Sequence, residues 1–381
     1  MTALLYQNEL ENNSLLQKLS KSFSKIGLDV VVIGVKRITK SLDESAMKVE
    51  FLSNQPVQKI RYYEISLPLE YGGGVKSWKG VIKYQLMSYK VLQEQKKNID
   101  IVYAIDLLMA LPAAIFSIFA RKKFIYHIAD KFTKAYNVPF LIKPFFDFID
   151  FLIMTKAEYI IIPSETRIYD IPRIFRKKCT IIYNSPEDVK NIQAEINDKI
   201  NDRLKLGFFG VLSEDRFIKE TCEIVKKNDF LELHIGGYGP LESYIREQSL
   251  LCERIKFYGK VAYDKVLEIQ SEVDLLFAIY NPAIPNNKQA SPNKLYEAMM
   301  LRKPIIVCRG MGIDELVERE DIGFVINYSA NDFEKLLAFI NNQRCILKSK
   351  GAKARTLYEN NYSWNLMEQK ILQIIKSLRE K

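Results

Sequence analysis

Between Gln289 and Val307 the chain reads QASPNKLYEAMMLRKPIIV, and this segment admits few folds. Pro292 suits the first position of a helix, where its fixed φ and missing N–H do no harm. Ser291 before it is a good N-cap. Leu295, Met299 and Met300 give the helix one apolar face, Pro304 ends it, and Ile305–Val307 reads as a buried strand. A loop, a short helix and a core strand are thus predicted in succession. The free amides at the start of such a helix suit an anion. Lys294 adds a mobile cation in the first turn. Glu297 lies one turn on, where a carboxylate can accept hydrogen bonds from a pair of hydroxyls. Phosphate beside ribose matches both. An ordinary capped helix carrying one Lys and one Glu is the plain alternative.

The same alternation runs through the chain. Ala3–Tyr6 reads as a strand, and Ser14–Ile26 as an amphipathic helix with Leu15, Leu16, Leu19, Phe23 and Ile26 on one side and Gly27 as its C-cap. Asp29–Ile33 is a second buried strand, which completes a βαβ unit. Strands are expected at Val49–Leu52, Arg61–Leu67, Ile101–Ile105, Phe124–Asp130, Glu158–Ser164 and from Cys179, with a helix over Trp78–Gln93. After the polar stretch 187–202, read as a linker, strands recur at Leu204–Val211, from Leu231, at Ile255–Gly259, Val273–Phe277 and Gly323–Asn327, with helices from Asn331 to Asn341 and onward to Lys381. A chain of 381 residues divides most readily into two cores. The predicted domains are 1–186 completed by 362–381, and 203–361.

The formal charge of +10 fits nucleic acid, an anionic membrane or an anionic substrate. Between Arg121 and Lys178, Lys and Arg outnumber Asp and Glu two to one. No zinc spacing, RNA-binding aromatic signature or basic helical repeat accompanies them, so no nucleic-acid partner is expected. The five cysteines are scattered and form no CxxC, which fits a reduced, cytoplasmic protein. No secretion signal is read at the N-terminus. Ile101–Ala120 has the length of a membrane span, but Asp106 and Pro112 divide it into a strand and a helix starting at Pro112. Pro144–Thr155 is apolar nearly all round. It reads as a buried helix, or as one whose exposed edge rests with nearby Lys and Arg on lipid headgroups.

The motif SPNKLYEAM, followed by KPII, resembles the donor-site helix of glycosyltransferase family 4, the group 1 type of GT-B fold. The resemblance implies that Glu297 holds the ribose of a nucleotide sugar and that Ser291, Pro292 and Asn293 face its diphosphate. It places Gly210 at a strand end where the family has a following Arg, here Val211. Arg216 falls at the family's Lys position, and Lys294 is expected to supply part of the missing charge. GYGP at 237–240 resembles the family's Gly-x-Gly-Pro, so Gly237 and Gly239 approach the nucleotide, and Gly259 leads the loop that contacts the base. Gln289 stands where the family has a first Glu on the donor sugar. Asp130 and His127 are the acceptor-side candidates, although the His that relatives carry before the acidic residue is Ala129 here. The turn Gln7–Glu9 lacks the family's Gly or Arg, Gly72–Gly74 reads as a mobile loop, and Ser185 replaces a family Gly. The last helices are expected to cross back over the first domain.

The fold expected is α/β, GT-B, with two Rossmann-like parallel-sheet domains facing a central cleft. The activity implied is a retaining hexosyltransferase that moves a sugar from a nucleotide diphosphate sugar to a hydroxyl acceptor, lipid-linked or part of a surface polysaccharide. No cofactor or metal is required by this scheme. The protein would be cytoplasmic and peripheral on the inner face of the membrane, with an anionic surface as partner. Two alternatives stay open: a nucleotide-sugar epimerase, and a non-catalytic scaffold of polysaccharide assembly, favoured by Val211 and Gln289.

Overall fold

The computed structural model describes residues 1–5, 14–37, 47–51, 60–67, 78–136, 138–189 and 203–380. The turn Gln7–Glu9, the loop Gly72–Gly74 and positions 190–202 of the expected linker lie outside the described residues. The chain divides into two units, one of Met1–Tyr183 with Met367–Lys381, the other of Asn184–Leu366.

The first unit carries strands β1 (Thr2–Leu5), β2 (Val30–Arg37), β3 (Met47–Phe51), β4 (Ile60–Leu67), β5 (Ile101–Ile105), β6 (Lys123–His127), β7 (Tyr159–Ile162) and β8 (Cys179–Ile181). They form one sheet of order β3-β4-β2-β1-β5-β6-β7-β8. Among the described residues, only the β3–β4 pair of this sheet is antiparallel. The helices are α1 (Ser14–Lys25), α2 (Trp78–Glu94), α3 (Leu107–Phe119), α4 (Phe132–Ala135) and α5 (Lys143–Lys156). The central strands β1 and β5 are buried throughout, because helices cover both faces of a parallel sheet. Strand order reverses between β1 and β5, so the crevice that open α/β sheets use for ligands lies beyond their C-terminal ends.

Helix α3 begins five residues before Pro112, which therefore sits inside it. The ring cannot donate to the carbonyl of Leu108 one turn earlier. Gln85 of α2 supplies that donor instead, with Nε2 2.9 Å from Leu108 O. A neighbouring side chain thus satisfies what the sequence alone counted as a helix boundary. No helix among the described residues is long and apolar enough to cross a membrane.

The second unit holds β9 (Leu204–Val211), β10 (Leu231–Tyr238), β11 (Ile255–Phe257), β12 (Leu275–Ala278), β13 (Ile305–Cys308) and β14 (Gly323–Ile326) in the order β11-β10-β9-β12-β13-β14. All its pairings are parallel. Helices α6 (Ile218–Lys227), α7 (Glu242–Leu251), α8 (Tyr263–Glu272), α9 (Asn293–Met300), α10 (Asp314–Arg319), α11 (Ala330–Asn342) and α12 (Cys345–Leu357) connect and cover them. Here order reverses between β9 and β12.

The last helix, α13 (Trp364–Glu380), packs into the first unit from Met367 onward. Glu368 accepts from Ser22 Oγ at 2.5 Å and pairs with Lys25 at 2.9 Å, both on α1. Ser377 Oγ lies 3.0 Å from the Tyr159 hydroxyl on β7.

Candidate active site

At the C-terminal edge of the second sheet three strand ends are built from glycine. Gly210 of β9 and Gly237 of β10 are register partners with φ of 146° and 139°. A Cβ on Gly237 would stand 1.8 Å from the Gly210 carbonyl oxygen, so no side chain fits there. The Gly237 amide donates to Gly259 O at 2.7 Å, which draws the turn after β11 into the same patch. Gly239 follows, where a Cβ would stand 2.6 Å from the Leu212 carbonyl oxygen. The result is a bare backbone floor beside the switch point.

Helix α9 opens on this floor. Asn293 is its first residue, and Pro292 stands at the N-cap with extended ψ rather than inside the first turn. Ser291 does not cap the helix: no side-chain cap bond forms, and its Oγ lies 2.7 Å from the Tyr296 hydroxyl. The first amides of the helix are left without an intrahelical acceptor.

Lys294 is not the mobile cation its position suggests. It is 7% exposed, with Nζ 4.2 Å from the centre of the Phe208 ring and 3.4 Å from the Tyr280 hydroxyl. The ammonium occupies the space a side chain at 210 would need, 2.8 Å from an ideal Cβ there. Among the described residues no carboxylate pairs with it. A buried ammonium without a counter-charge is costly unless an anion arrives.

Arg216 ends the 3-10 turn Glu214–Arg216 after β9. Its guanidinium stacks on the Tyr280 ring, with Cζ 3.6 Å from the centroid. Tyr280, just beyond β12, therefore touches both cations that the sequence singled out. Nε of Arg216 lies 3.4 Å from Asp215. Burial alone would raise the Asp215 carboxyl, but hydrogen bonds from Ser213 and Asn287 and the charge of Arg216 hold it below its ordinary value. Asn287 Nδ2 reaches Asp215 Oδ2 at 2.9 Å and ties the loop before α9 to the loop after β9. Gln289, half-buried, ends the 3-10 turn of that loop.

Glu297 is buried, and its two oxygens point to α8. Oε1 accepts from the Tyr263 hydroxyl at 3.1 Å and Oε2 from Gln270 Nε2 at 2.9 Å. Burial, and next the charge of Glu297, push the Tyr263 phenol well above its ordinary value, so it stays a donor. Sequence reasoning missed Tyr263, Gln270 and Tyr280. They lie 14 to 34 residues from the groups they hold, and no local pattern marks such pairings.

In the first unit His127 and Asp130 part company. His127 is buried, with Nδ1 2.8 Å from the Tyr103 hydroxyl, and burial lowers its pKa to about 3. It is a neutral core imidazole. Asp130 is half-exposed and accepts from Arg167 Nη2 at 2.6 Å. Asp106, at the end of β5, accepts the backbone amides of Ala129 and Asp130 at 3.0 and 3.1 Å. Its φ of 64° is strained for a non-glycine residue. Burial first, then the Asp130 charge, raise its pKa to about 7. Asp106, Asp130 and Arg167 thus cluster beyond the switch point of this sheet.

Residues 203–342 match the family model described as glycosyl transferases group 1. No curated protein matches the chain. Among solved structures, sucrose-phosphate synthase from Thermosynechococcus elongatus is similar with a TM-score of 0.74 and 13% identity, over 100% of this chain and 99% of that one. Anabaena Alr3699/HepE, solved in complex with UDP, gives 0.68 and 14%, over 99% and 100%. WaaG, a glycosyltransferase involved in lipopolysaccharide biosynthesis, gives 0.64 and 13%, over 97% and 98%. At these identities the likeness speaks for the fold, while the family match covers the unit that holds Lys294, Arg216 and Glu297. Residues 203–342 thus match the group 1 glycosyl transferases, and the chain has the two-domain GT-B fold.

Proposed function

We propose that the protein moves a hexose, with retention of configuration, from a nucleotide diphosphate sugar to a hydroxyl of a lipid-linked or surface-polysaccharide acceptor at the cytoplasmic face of a membrane. The observation that carries this reading is Lys294, a buried ammonium that meets no carboxylate among the described residues, set against the bare backbone of Gly210 at the start of α9. A diphosphate supplies the missing charge. Arg216, stacked on Tyr280, brings a second cation, and the amides of Asn293 and Lys294 bring the helix N-terminus. Val211, which stands where relatives have an arginine, is compensated by this pair.

Negative charge grows on the diphosphate as the glycosidic bond breaks. Fixed cations and amides aimed at it lower the barrier without a metal. Glu297, held by Tyr263 and Gln270, keeps lone pairs for the two ribose hydroxyls. Gln289 faces the donor sugar with an amide, and Gly237, Gly239 and Gly259 let the nucleotide lie on the backbone. Asp130, with Arg167 and Asp106, serves the acceptor; His127, buried and neutral, has no part in it. HepE was solved with UDP, which supports a uridine donor. The role of WaaG in lipopolysaccharide assembly supports a surface-glycan acceptor.

The test is incubation with UDP-, GDP- and ADP-sugars and a polyprenyl-phosphate-linked acceptor, reading nucleoside diphosphate release and the anomeric configuration of the product. Acceptor-dependent release with an unchanged anomeric centre is expected. An inverted product would end the claim of retention. Conversion of the donor without an acceptor would point to an epimerase, and no turnover with any donor would point to a scaffold.

A further inference from the structure

We propose that the outer face of the α2–α3–α5 layer docks on an anionic lipid bilayer; this rests on the reading of a membrane-borne acceptor and names the surface that meets the membrane. Helix α3 packs against α2 on one side and α5 on the other, so the three form one layer over the first sheet. Each turns an apolar stripe outward. On α2 the exposed residues Lys79, Ile82, Leu86 and Lys90 follow helical spacing, with cations at both ends and apolar side chains between. On α3 the exposed stripe is Ile115, Ile118 and Phe119, and Arg121 follows it, exposed.

The stripe on α5 is the largest. Leu141 in the preceding 3-10 turn, Phe145, Phe148 and Leu152 succeed one another at intervals of three or four residues, at 87%, 61%, 59% and 49% exposure. Phe140 beside them is 82% exposed. The inner side of the same helix buries Phe146, Ile153 and Met154. The exposed phenylalanines are therefore a second apolar face rather than spill from the core. An exposed apolar surface spread over three adjacent helices marks an interaction site.

Charge selects a lipid surface as the occupant. Helix α3 has no charged residue, and the one acid of α2 is Glu94 at its end. On α5, Asp150 is buried, while Asp147 is tied to Lys131 at 3.0 Å and to Thr133 at 3.0 Å. The rim is cationic and the centre apolar, which is the arrangement of an interfacial membrane surface. Lysines at such a rim place their ammonium groups at headgroup level while their stems cover the apolar edge.

The test is flotation with vesicles of phosphatidylcholine alone and with about 30% phosphatidylglycerol, at low and high salt. The full chain is expected to float with the anionic vesicles at low salt and to lose binding in phosphatidylcholine alone. F145S/F148S should lower partitioning about tenfold or more, as two half-immersed aromatic side chains are lost. Both positions are exposed, so its thermal midpoint should match the wild type. K79E/K90E should weaken binding to anionic vesicles alone. L250S/L251S, which alters an exposed apolar pair of the second unit, should float unchanged. Failure of the folded wild type to float overturns the proposal, as does equal flotation of F145S/F148S. Self-association by sedimentation that F145S/F148S abolishes would overturn it in favour of a second copy of the chain. Nucleotide binding and transfer to a soluble acceptor are measured without vesicles, so they fail or succeed independently of the docking face.

Discussion

The ammonium of Lys294 fills the space that a side chain at Gly210 would occupy, 2.8 Å from an ideal Cβ. The far end of a lysine can move aside, so the contact alone would tolerate alanine. The backbone would not: φ at 210 is 146°, a conformation that costs an L-residue about 1–3 kcal/mol. Gly210→Ala is expected to lower the unfolding free energy by about that amount. It should also displace Lys294 and weaken nucleoside diphosphate binding, as measured by denaturant titration and calorimetry.

Lys294 itself should trade stability for function. Lys294→Met replaces a buried charge that has no carboxylate partner among the described residues with an apolar chain of similar length. In the ligand-free protein the midpoint of thermal unfolding is expected to stay level or rise. A destabilisation of several degrees without ligand would show that the fold supplies a counter-charge.

Tyr263→Phe removes one of the two donors that fix the Glu297 carboxylate. Loss of one hydrogen bond to a charged group corresponds to about 1.5–3 kcal/mol. Affinity for the nucleoside diphosphate should fall about tenfold or more, while a bare sugar or inorganic diphosphate is unaffected. Equal loss for inorganic diphosphate would place Tyr263 elsewhere in the account.

Asp106 should make stability pH-dependent. Its folded pKa of about 7 lies above the ordinary carboxylate value, so the folded state holds the proton more tightly than the unfolded one. This contribution is fully present below about pH 4 and is lost as pH rises through about 7. Asp130 raises the pKa and Arg167 lowers it. Asp106→Asn keeps an acceptor for the amides of Ala129 and Asp130. It should match the wild type at low pH and be more stable above pH 7, by up to about 4 kcal/mol. Parallel stability curves for the two proteins would contradict this.

Gln85→Leu removes the donor that replaces the missing Pro112 amide, leaving the Leu108 carbonyl unpaired in a buried helix. The expected cost is about 1–3 kcal/mol, read from urea unfolding.

The two sheets were legible because buried parallel strands read as unbroken apolar runs and α1 carries its apolar stripe at helical spacing. The segment around α9 was legible as loop, helix and strand, and Lys294 and Arg216, singled out from the sequence, both touch Tyr280. What stayed hidden depends on contacts distant in sequence. Ser291 looked like a cap, but Pro292 takes that place and the hydroxyl turns to Tyr296. Lys294 looked exposed because the rings that cover it come from distant segments, Phe208 on β9 and Tyr280 just beyond β12. Pro112 looked like a helix start because its rescue by Gln85 crosses between helices. His127 carries no sequence mark of the Tyr103 hydroxyl that holds it in the core.

The most direct test is thermal stabilisation of the wild type, Lys294→Met and Glu297→Ala by UDP, GDP and ADP, with CMP as a monophosphate control. Binding to the folded state raises the midpoint by mass action. One nucleoside diphosphate should raise the wild-type midpoint by a few degrees at saturating concentration, with no shift in either variant and none from CMP. A shift of equal size in Lys294→Met, or none with any nucleoside diphosphate in the wild type, would contradict an anion site built on Lys294.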